Sequence, residues 1–162
     1  AGSNGLIFIP SFVKETGPTK RYGTLGTILG LTLRTSRGQL LRSVLEGLSF
    51  QLRHALEILK MEISTEIEGI RVVGGGAKNP LWNQIRADVT GLPIITMEQK
   101  EYTSLGAALI AFIGIGIYKS LEEAREYMFF EERRIEPSSK EDVYRRLFER
   151  YMNALESLKD YY

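Results

Sequence analysis

The residues with the clearest chemical potential form one short run, Val72-Val-Gly-Gly-Gly-Ala-Lys-Asn79. Consecutive glycines allow a tight turn and let a flat or anionic ligand touch the main chain. Asn79 followed by Pro80 is typical of a helix start, where asparagine caps and proline takes the first helical position. Free N–H groups at such a start favour anions. The run therefore predicts a strand-to-helix turn that either binds a ligand or serves packing alone.

Two familiar phosphate-binding motifs do not fit this turn. A Walker A loop requires Ser or Thr after its lysine, whereas Lys78 is followed by Asn79. The dinucleotide motif G-x-G-x-x-G would start with Gly74 and Gly76, but Asn79 occupies its third glycine position. A glycine turn by itself is weak evidence, so the residues alone leave its ligand open.

The remaining composition limits the chemistry that this chain can perform. Its 162 residues include no cysteine and one histidine, His54, which excludes a thiolate metal site and a cysteine nucleophile. Only three of its 20 acidic residues are aspartates, and these are Asp88, Asp142 and Asp160. The formal net charge of +1 argues against a nucleic-acid partner bound through bulk charge. This combination indicates binding without a full set of catalytic groups.

Four further side chains have both a structural and a functional interpretation. We interpret Glu46 as a polar group on the helix surface or between domains, and His54 as a solvated or capping histidine, in preference to catalytic roles. Lys78 is interpreted as a flexible loop lysine rather than a phosphate ligand. Trp82 is interpreted as a packing residue rather than a stacking partner for adenine.

Hydrophobic spacing predicts several helices around this turn. Apolar residues at i, i+3, i+4 and i+7 indicate an amphipathic helix over Arg37–Met61, in which Gly47 would allow close packing. A second helix is predicted over Pro80–Val89, ended by Gly91. Three later helices are predicted. The first covers about 103–118. The second is short and begins with a capping-box pattern at Ser120–Glu123, and the third begins with such a pattern at Ser138–Glu141 and ends at about 158.

Short apolar runs alternate with these helices and are predicted to be strands. They are Leu6–Pro10, Thr27–Leu33, Gly69–Val73 and Leu92–Met97. The predicted order is β-β-α-β-α-β-α-α-α, which is typical of an α/β layer architecture. The length fits one domain or one piece of a larger one.

No segment of the sequence predicts a membrane partner. The most apolar run, Leu105–Ile117, is shorter than the roughly 20 residues that span a bilayer, so we interpret it as a buried core helix. The first residues lack a charged-then-apolar signal pattern. We therefore expect a cytoplasmic protein.

The surroundings of the glycine turn resemble the C-terminal domain of the FGGY carbohydrate kinases. Gly74–Gly91, with the sequence GGGAKNPLWNQIRADVTG, is similar to a segment of that domain. Three further segments resemble family motifs in the same order, and they are Gly26–Thr32 (RGxxxGLT), Arg37–Gln51 (RxxLEGxxxQ) and Thr103–Leu109 (xxLGAAL). The resemblance covers about residues 5–158. At Ile9-Pro-Ser and Leu81–Ile85 it is greatest to the L-fuculokinases within the family.

This resemblance implies a partial actin-like, ribonuclease-H-like ATPase domain, with a sheet flanked by helices. It implies that Gly75, Gly76 and Asn79 contact the adenosine of ATP or ADP, with Gly74 and Ala77 adjacent. Mg²⁺ would be held mainly through the nucleotide phosphates. The implied reaction transfers the γ-phosphate of ATP to a ketose, L-fuculose giving L-fuculose 1-phosphate, with xylulose or rhamnulose as alternatives.

The resemblance also implies that part of the enzyme lies outside residues 1–162. The catalytic aspartate and the Gly-Thr phosphate loop of the family lie upstream of the matched region, so no catalytic residue or protein metal ligand is assigned here. We expect the chain to be a C-terminal domain fragment, inactive without its own N-terminal sugar-binding domain. Exposed apolar surface is expected where the two would meet, with self-association there as another outcome.

Two other classes of protein stay open at this point. One is a non-catalytic actin-superfamily module that binds a nucleotide for assembly or regulation. The other is an α/β packing domain whose glycine turn holds nothing.

Overall fold

The computed structural model describes residues 1–13, 17–18, 20–97, 102–127 and 131–162, and within them two small sheets are flanked by helices. This arrangement confirms the predicted α/β class. The strands are β1 Ile7–Ile9, β2 Thr27–Leu29, β3 Ile70–Val72, β4 Ile94–Met97 and β5 Glu132–Ile135. The helices are α1 Arg37–Glu62, α2 Pro80–Thr90, α3 Tyr102–Gly114, α4 Leu121–Glu126 and α5 Glu141–Leu158.

The sheet topology fixes the position of the glycine turn. β1 and β2 pair antiparallel, while β3, β4 and β5 form a second sheet in that order. β3 and β4 are parallel, with Arg71 opposite Ile95, so α2 serves as the crossover between them. The turn therefore lies at the carboxyl end of β3, the edge at which open α/β sheets bind ligands.

The predicted element order lacked β5, and that omission was wrong. β5 pairs antiparallel with β4 and places Ile135 opposite Ile94. Its sequence, Glu-Arg-Arg-Ile, has no apolar alternation and three exposed charged residues. Charged side chains are common on edge strands, where they discourage further pairing, but they hide the strand from a hydrophobic pattern.

Neither predicted capping box is complete, although Ser120 caps α4 with its side chain. Ser120 accepts a hydrogen bond from the backbone N–H of Glu123, whose carboxylate accepts one from Lys119 N at 2.6 Å. Before α5 the N-cap is Lys140, without a side-chain cap, so the predicted box from Ser138 is wrong. The Ser138 N–H instead donates to the buried carboxylate of Asp88 at 2.7 Å.

Helix α1 passes through the middle of the structure and packs on β1, α2 and α5. β1 approaches α1 so closely at Gly47 that a Cβ there would lie 2.2 Å from the carbonyl oxygen of Phe8. The predicted close packing at Gly47 is thus confirmed. The core beside it is rich in aromatic and branched side chains, namely Ile9, Tyr22, Phe50, Ile85, Val89, Tyr144, Phe148, Tyr151, Ala154 and Leu155.

Glu46 is buried, so its interpretation as a helix-surface group is wrong. Its carboxylate accepts hydrogen bonds from Gly2 N at 2.9 Å and from the Ser3 hydroxyl at 2.6 Å. It also accepts from Arg42 Nε at 2.9 Å and from the Tyr144 hydroxyl at 3.1 Å. Burial and then the Glu46 charge raise the pKa of Tyr144 to about 12, so this hydroxyl keeps its proton and donates.

His54 is also buried, so its interpretation as a solvated or capping histidine is wrong. Its ring centroid lies 5.8 Å from that of Tyr22, and neither ring nitrogen has a hydrogen-bond partner among the described residues. Burial, and then the charge of Arg21, lower the pKa of His54. The imidazole is therefore neutral in the folded protein near pH 7.

The accessible surface is larger than expected for a folded monomer of this mass, and several large apolar side chains are exposed. The accessible surface is 10673 Å², against about 8,100 Å² expected for a folded monomer of this mass. The interpretation of Leu105–Ile117 as a buried core helix is wrong here, because none of its residues is fully buried. Its most exposed large side chains are Ile110, Phe112, Ile115 and Ile117. No helix in the described ranges is long and apolar enough to cross a membrane.

The close contact at Gly47 predicts a specific loss of stability. In Gly47→Ala the new methyl group would collide with the Phe8 backbone, and we expect the free energy of unfolding to fall by about 3 kcal/mol, as in overpacked cores. Gly38→Ala is the matched control, since its Cβ would meet nothing within 4 Å in the same helix. It should stabilise the helix by up to about 1 kcal/mol. Urea denaturation of both variants measures the difference, and equal effects would contradict the packing described here.

Burial of neutral His54 predicts acid sensitivity. A lowered folded pKa means that its contribution to stability is complete above the ordinary value of about 6.5. That contribution is lost as the pH falls through 6.5 towards the folded pKa, because only the unfolded chain takes up the proton readily. His54→Phe should flatten the decline in unfolding free energy as the pH falls below about 6.5. Parallel pH profiles for the two proteins would show that His54 is not responsible.

Candidate functional site: the glycine turn before α2

Backbone conformation explains why glycine begins this turn. Gly74 has φ 81° and ψ −167°, a region that is essentially restricted to glycine. Gly75–Lys78 then form a short 3-10 helix, and Ala77 N donates to Gly74 O at 3.1 Å. The chain thus turns sharply from β3 into α2 within a few residues.

Asn79 ends the turn and caps α2, as predicted from the sequence. Its side-chain oxygen accepts from Trp82 N at 3.1 Å, and Pro80 is the first helical residue. The Asn79 side chain is exposed, and its amide NH₂ has no hydrogen-bond partner in the described part of the chain. The cap therefore leaves two donors available to a ligand.

The five residues proposed to bind a ligand are brought together in this one turn. Gly74, Gly75 and Asn79 are exposed, whereas Gly76 and Ala77 are half-buried. A Cβ at Gly75 would meet no heavy atom within 4 Å, whereas one at Gly76 would lie 2.9 Å from Trp82 Cζ3. The outer side of the turn is therefore accessible backbone, and its inner side rests on α2.

Sequence reasoning missed two side chains that hold the turn from below. The buried Asn83 amide donates to Ala77 O at 2.7 Å. Arg86 donates to Gly76 O at 3.3 Å and to the Asn83 side-chain oxygen at 2.9 Å. Its guanidinium also lies 3.6 Å from the centroid of the Trp82 ring. The available signal was helical spacing, since positions 79, 82, 83 and 86 share one face of the first turns of α2.

The electrostatic character of the turn is positive. Arg86 forms no ion pair with a described carboxylate, and burial lowers its pKa. An arginine side chain nevertheless carries its positive charge in proteins. Lys78 is exposed and forms no ion pair in the described ranges. Of the three aspartates, Asp88 accepts from Gln84 and Ser138, and Asp142 pairs with Arg145 on the surface. The arrangement is suited to binding an anionic ligand and contains no nucleophile or general base.

No protein metal centre emerges around the turn. The residues that the structure describes contain no group of three or more His, Asp or Glu side chains that could hold a metal ion.

Comparison with known proteins identifies the family to which these features belong. The sequence profile of the FGGY family of carbohydrate kinases, C-terminal domain, matches residues 1–115. This chain belongs to that family. The FGGY membership expected from the motifs around Glu46 and the glycine turn is therefore confirmed.

Similar proteins of two kinds support the assignment. The chain is 33% identical over 153 residues to a glycerol kinase of Saccharolobus islandicus, covering 94% of this chain and 30% of that protein. It is 32% identical over 160 residues to the xylulose kinase of Bacillus subtilis, covering 98% and 32%. The chain thus spans about a third of the length of these relatives. A finer assignment to the L-fuculokinases is not among these findings.

Solved structures confirm the expected fold. The xylulose kinase of Rhodospirillum rubrum superimposes with a TM-score of 0.78 at 27% identity, covering 99% of this chain and 32% of that one. The glycerol kinase of Plasmodium falciparum, solved with ADP, gives 0.78 at 28% identity, covering 96% and 31%. The FGGY chain described here therefore has the actin-like, ribonuclease-H-like architecture of its family, with a sheet flanked by helices.

Proposed function

We propose that this chain is the nucleotide-binding part of an ATP-dependent carbohydrate kinase. The observation that carries the proposal is the exposed backbone of Gly74–Asn79 at the carboxyl end of β3. Family membership supports the kinase over a plain packing domain and over a non-catalytic nucleotide-binding module.

Each residue of the turn has a role in this proposal. The adenosine lies against Gly75, where the absence of a Cβ atom lets a flat base approach the main chain, and against the outer side of Gly76, whose missing Cβ instead lets the backbone rest on Trp82. Asn79 offers its amide donors to the base or ribose, and Gly74 and Ala77 border the same surface. The positive charges of Arg86 and Lys78 favour an anionic nucleotide over a neutral nucleoside. The solved Plasmodium falciparum glycerol kinase with ADP supports this choice of ligand.

The chemical step requires groups that the described residues do not provide. Phosphoryl transfer needs in-line placement of the acceptor, a metal and a residue that orients or deprotonates the nucleophile. We propose that the base and the phosphate loop lie in an upstream part of the protein, and that Mg²⁺ is held mainly through the nucleotide phosphates. Residues 1–162 alone would then bind nucleotide partially and phosphorylate no sugar.

The exposed apolar surface supports a larger enzyme. The α3 side chains Ile110 and Phe112, and Ile115 just after the helix, are exposed although the segment is strongly apolar. The accessible surface also exceeds that of a complete domain of this mass. We propose that the rest of the kinase, including a sugar-binding domain upstream, covers this surface. Association of two copies through it is the competing outcome.

The acceptor sugar is a finer proposal than the kinase itself. The Ile9-Pro-Ser and Leu81–Ile85 segments favour L-fuculose, giving L-fuculose 1-phosphate. Similarity to the Bacillus subtilis xylulose kinase makes xylulose an equally testable acceptor, with rhamnulose as a third. We expect such an enzyme in the cytoplasm, where ATP and free sugars are both available.

Gly75→Leu in the full-length kinase tests the nucleotide role directly. Its side chain would enter free space, so folding should be unaffected, but it would occupy the surface proposed for adenosine. We expect the KM for ATP to rise by at least about tenfold, the equivalent of about 1.4 kcal/mol. The KM for the preferred acceptor should change by less than about twofold. That acceptor is selected from the sugars L-fuculose, xylulose and rhamnulose and from the polyol glycerol, which the similarity to a glycerol kinase adds as a candidate.

The matched control is Gly38→Leu, which also enters free space but lies at the start of α1. It should leave both KM values unchanged. Equal increases in the two KM values of Gly75→Leu, or no increase for ATP, would contradict an adenosine site on this turn.

A further inference from the structure

Arg86 is buried in an unusual environment for a cation. The side chain is 8% exposed and forms no ion pair with any carboxylate that the structure describes. Its partners are the neutral oxygens of Gly76 and Asn83 and the face of the Trp82 ring. A buried charge normally destabilises the folded protein unless it is paired with an opposite charge. Stability alone therefore does not explain an arginine at this position.

Those contacts all converge on the inner side of the glycine turn. A Cβ on Gly76 would lie 2.9 Å from Trp82 Cζ3 and 3.1 Å from Arg86 Nη2. The Gly76 backbone therefore rests directly on the stacked pair formed by the indole and the guanidinium. The same guanidinium holds the Gly76 carbonyl at 3.3 Å. Arg86 thus fixes the distance of the Gly76 backbone from α2 and the direction of the Gly76 carbonyl.

The Trp82 ring depends on Arg86 for its position. The indole Nε1 is buried and has no hydrogen-bond partner in the described parts of the chain. Without such a bond, the ring is held by packing and by the cation–π contact at 3.6 Å. A lysine could supply the charge but not the planar fork that stacks on the ring while donating to two oxygens.

We propose that Arg86 is a positioning residue for the nucleotide turn, holding Gly76 and the Trp82 ring in the arrangement that receives the adenosine. The inference rests on the proposed function, because it assumes that Gly74–Asn79 bind the nucleotide. Arg86 itself lies beneath the turn and acts through Gly76. Its effect should therefore fall on nucleotide binding rather than on sugar binding or turnover.

Arg86→Met in the full-length kinase tests this role. Methionine keeps the apolar stem but loses the stack and both hydrogen bonds. We expect the KM for ATP to rise by about tenfold, a typical consequence of misplacing a binding group, with kcat at saturating ATP and the KM for the sugar within about twofold. Unchanged ATP affinity, or equal increases in the two KM values, would overturn the proposal.

Arg53→Met is the matched control for a general loss of stability. Arg53 also stacks on an aromatic ring, at 4.4 Å from the centroid of Phe148, and donates to a backbone carbonyl, Val89 O, at 3.1 Å. It contacts no residue of the glycine turn through these bonds. We expect no change in its KM for ATP, and an increase equal to that of Arg86→Met would overturn the positioning role.

A conservative variant keeps the test decisive if Arg86→Met does not fold. Arg86→Lys retains the charge and should raise the KM for ATP severalfold, whereas a value equal to the wild type would overturn the proposal. The Gly75→Leu variant separates the two levels of inference. If Gly75→Leu weakens ATP binding and the Arg86 variants do not, only the positioning role fails. If none of them weakens ATP binding, the nucleotide site itself is wrong.

Discussion

The buried carboxylate of Glu46 is the interaction on which the rest of the described structure depends. Four donors meet there, from the first residues of the chain, from α1 itself and from Tyr144 of α5. Loss of any of these hydrogen bonds would leave a buried charge incompletely paired and would destabilise the fold. The four donors are therefore fixed relative to one another. The adjacent Gly47 lets β1 touch α1. Helix α1, held in this way, is the surface on which α2 packs and so determines where the glycine turn is presented.

Binding and support are divided between the two sides of the glycine turn. The outer side is exposed backbone at Gly74 and Gly75, with no side chain to obstruct a ligand. On the inner side, Asn83 and Arg86 hold the carbonyl oxygens of Ala77 and Gly76. A flexible glycine-rich segment would lose much conformational entropy on binding a ligand. Because these hydrogen bonds already order the turn, less entropy is lost when a ligand binds. This division is consistent with the proposal that the turn holds a nucleotide while groups elsewhere in the protein perform the transfer.

Local signals predicted the conformation of the glycine turn and the Asn79 cap, whereas contacts between distant residues could not be predicted. Gly74, Asn79 and Pro80 each satisfy a requirement of the turn itself, so their types reveal it. Glu46 and Tyr144 are 98 positions apart, and no residue near Glu46 in the sequence indicates that Tyr144 would be its hydrogen-bond partner. The same holds for His54, which packs beside Tyr22. β5 escaped prediction because its pairing with β4, rather than an apolar pattern, makes it a strand.

Hydrogen–deuterium exchange on the full-length kinase, with and without ADP, tests the central claim most directly. If the nucleotide lies on the exposed backbone of the glycine turn, ADP should slow exchange at the amides of Gly74–Asn79 and leave those of β5 unchanged. Protection confined to other parts of the enzyme, with unaltered exchange across Gly74–Asn79, would contradict the account.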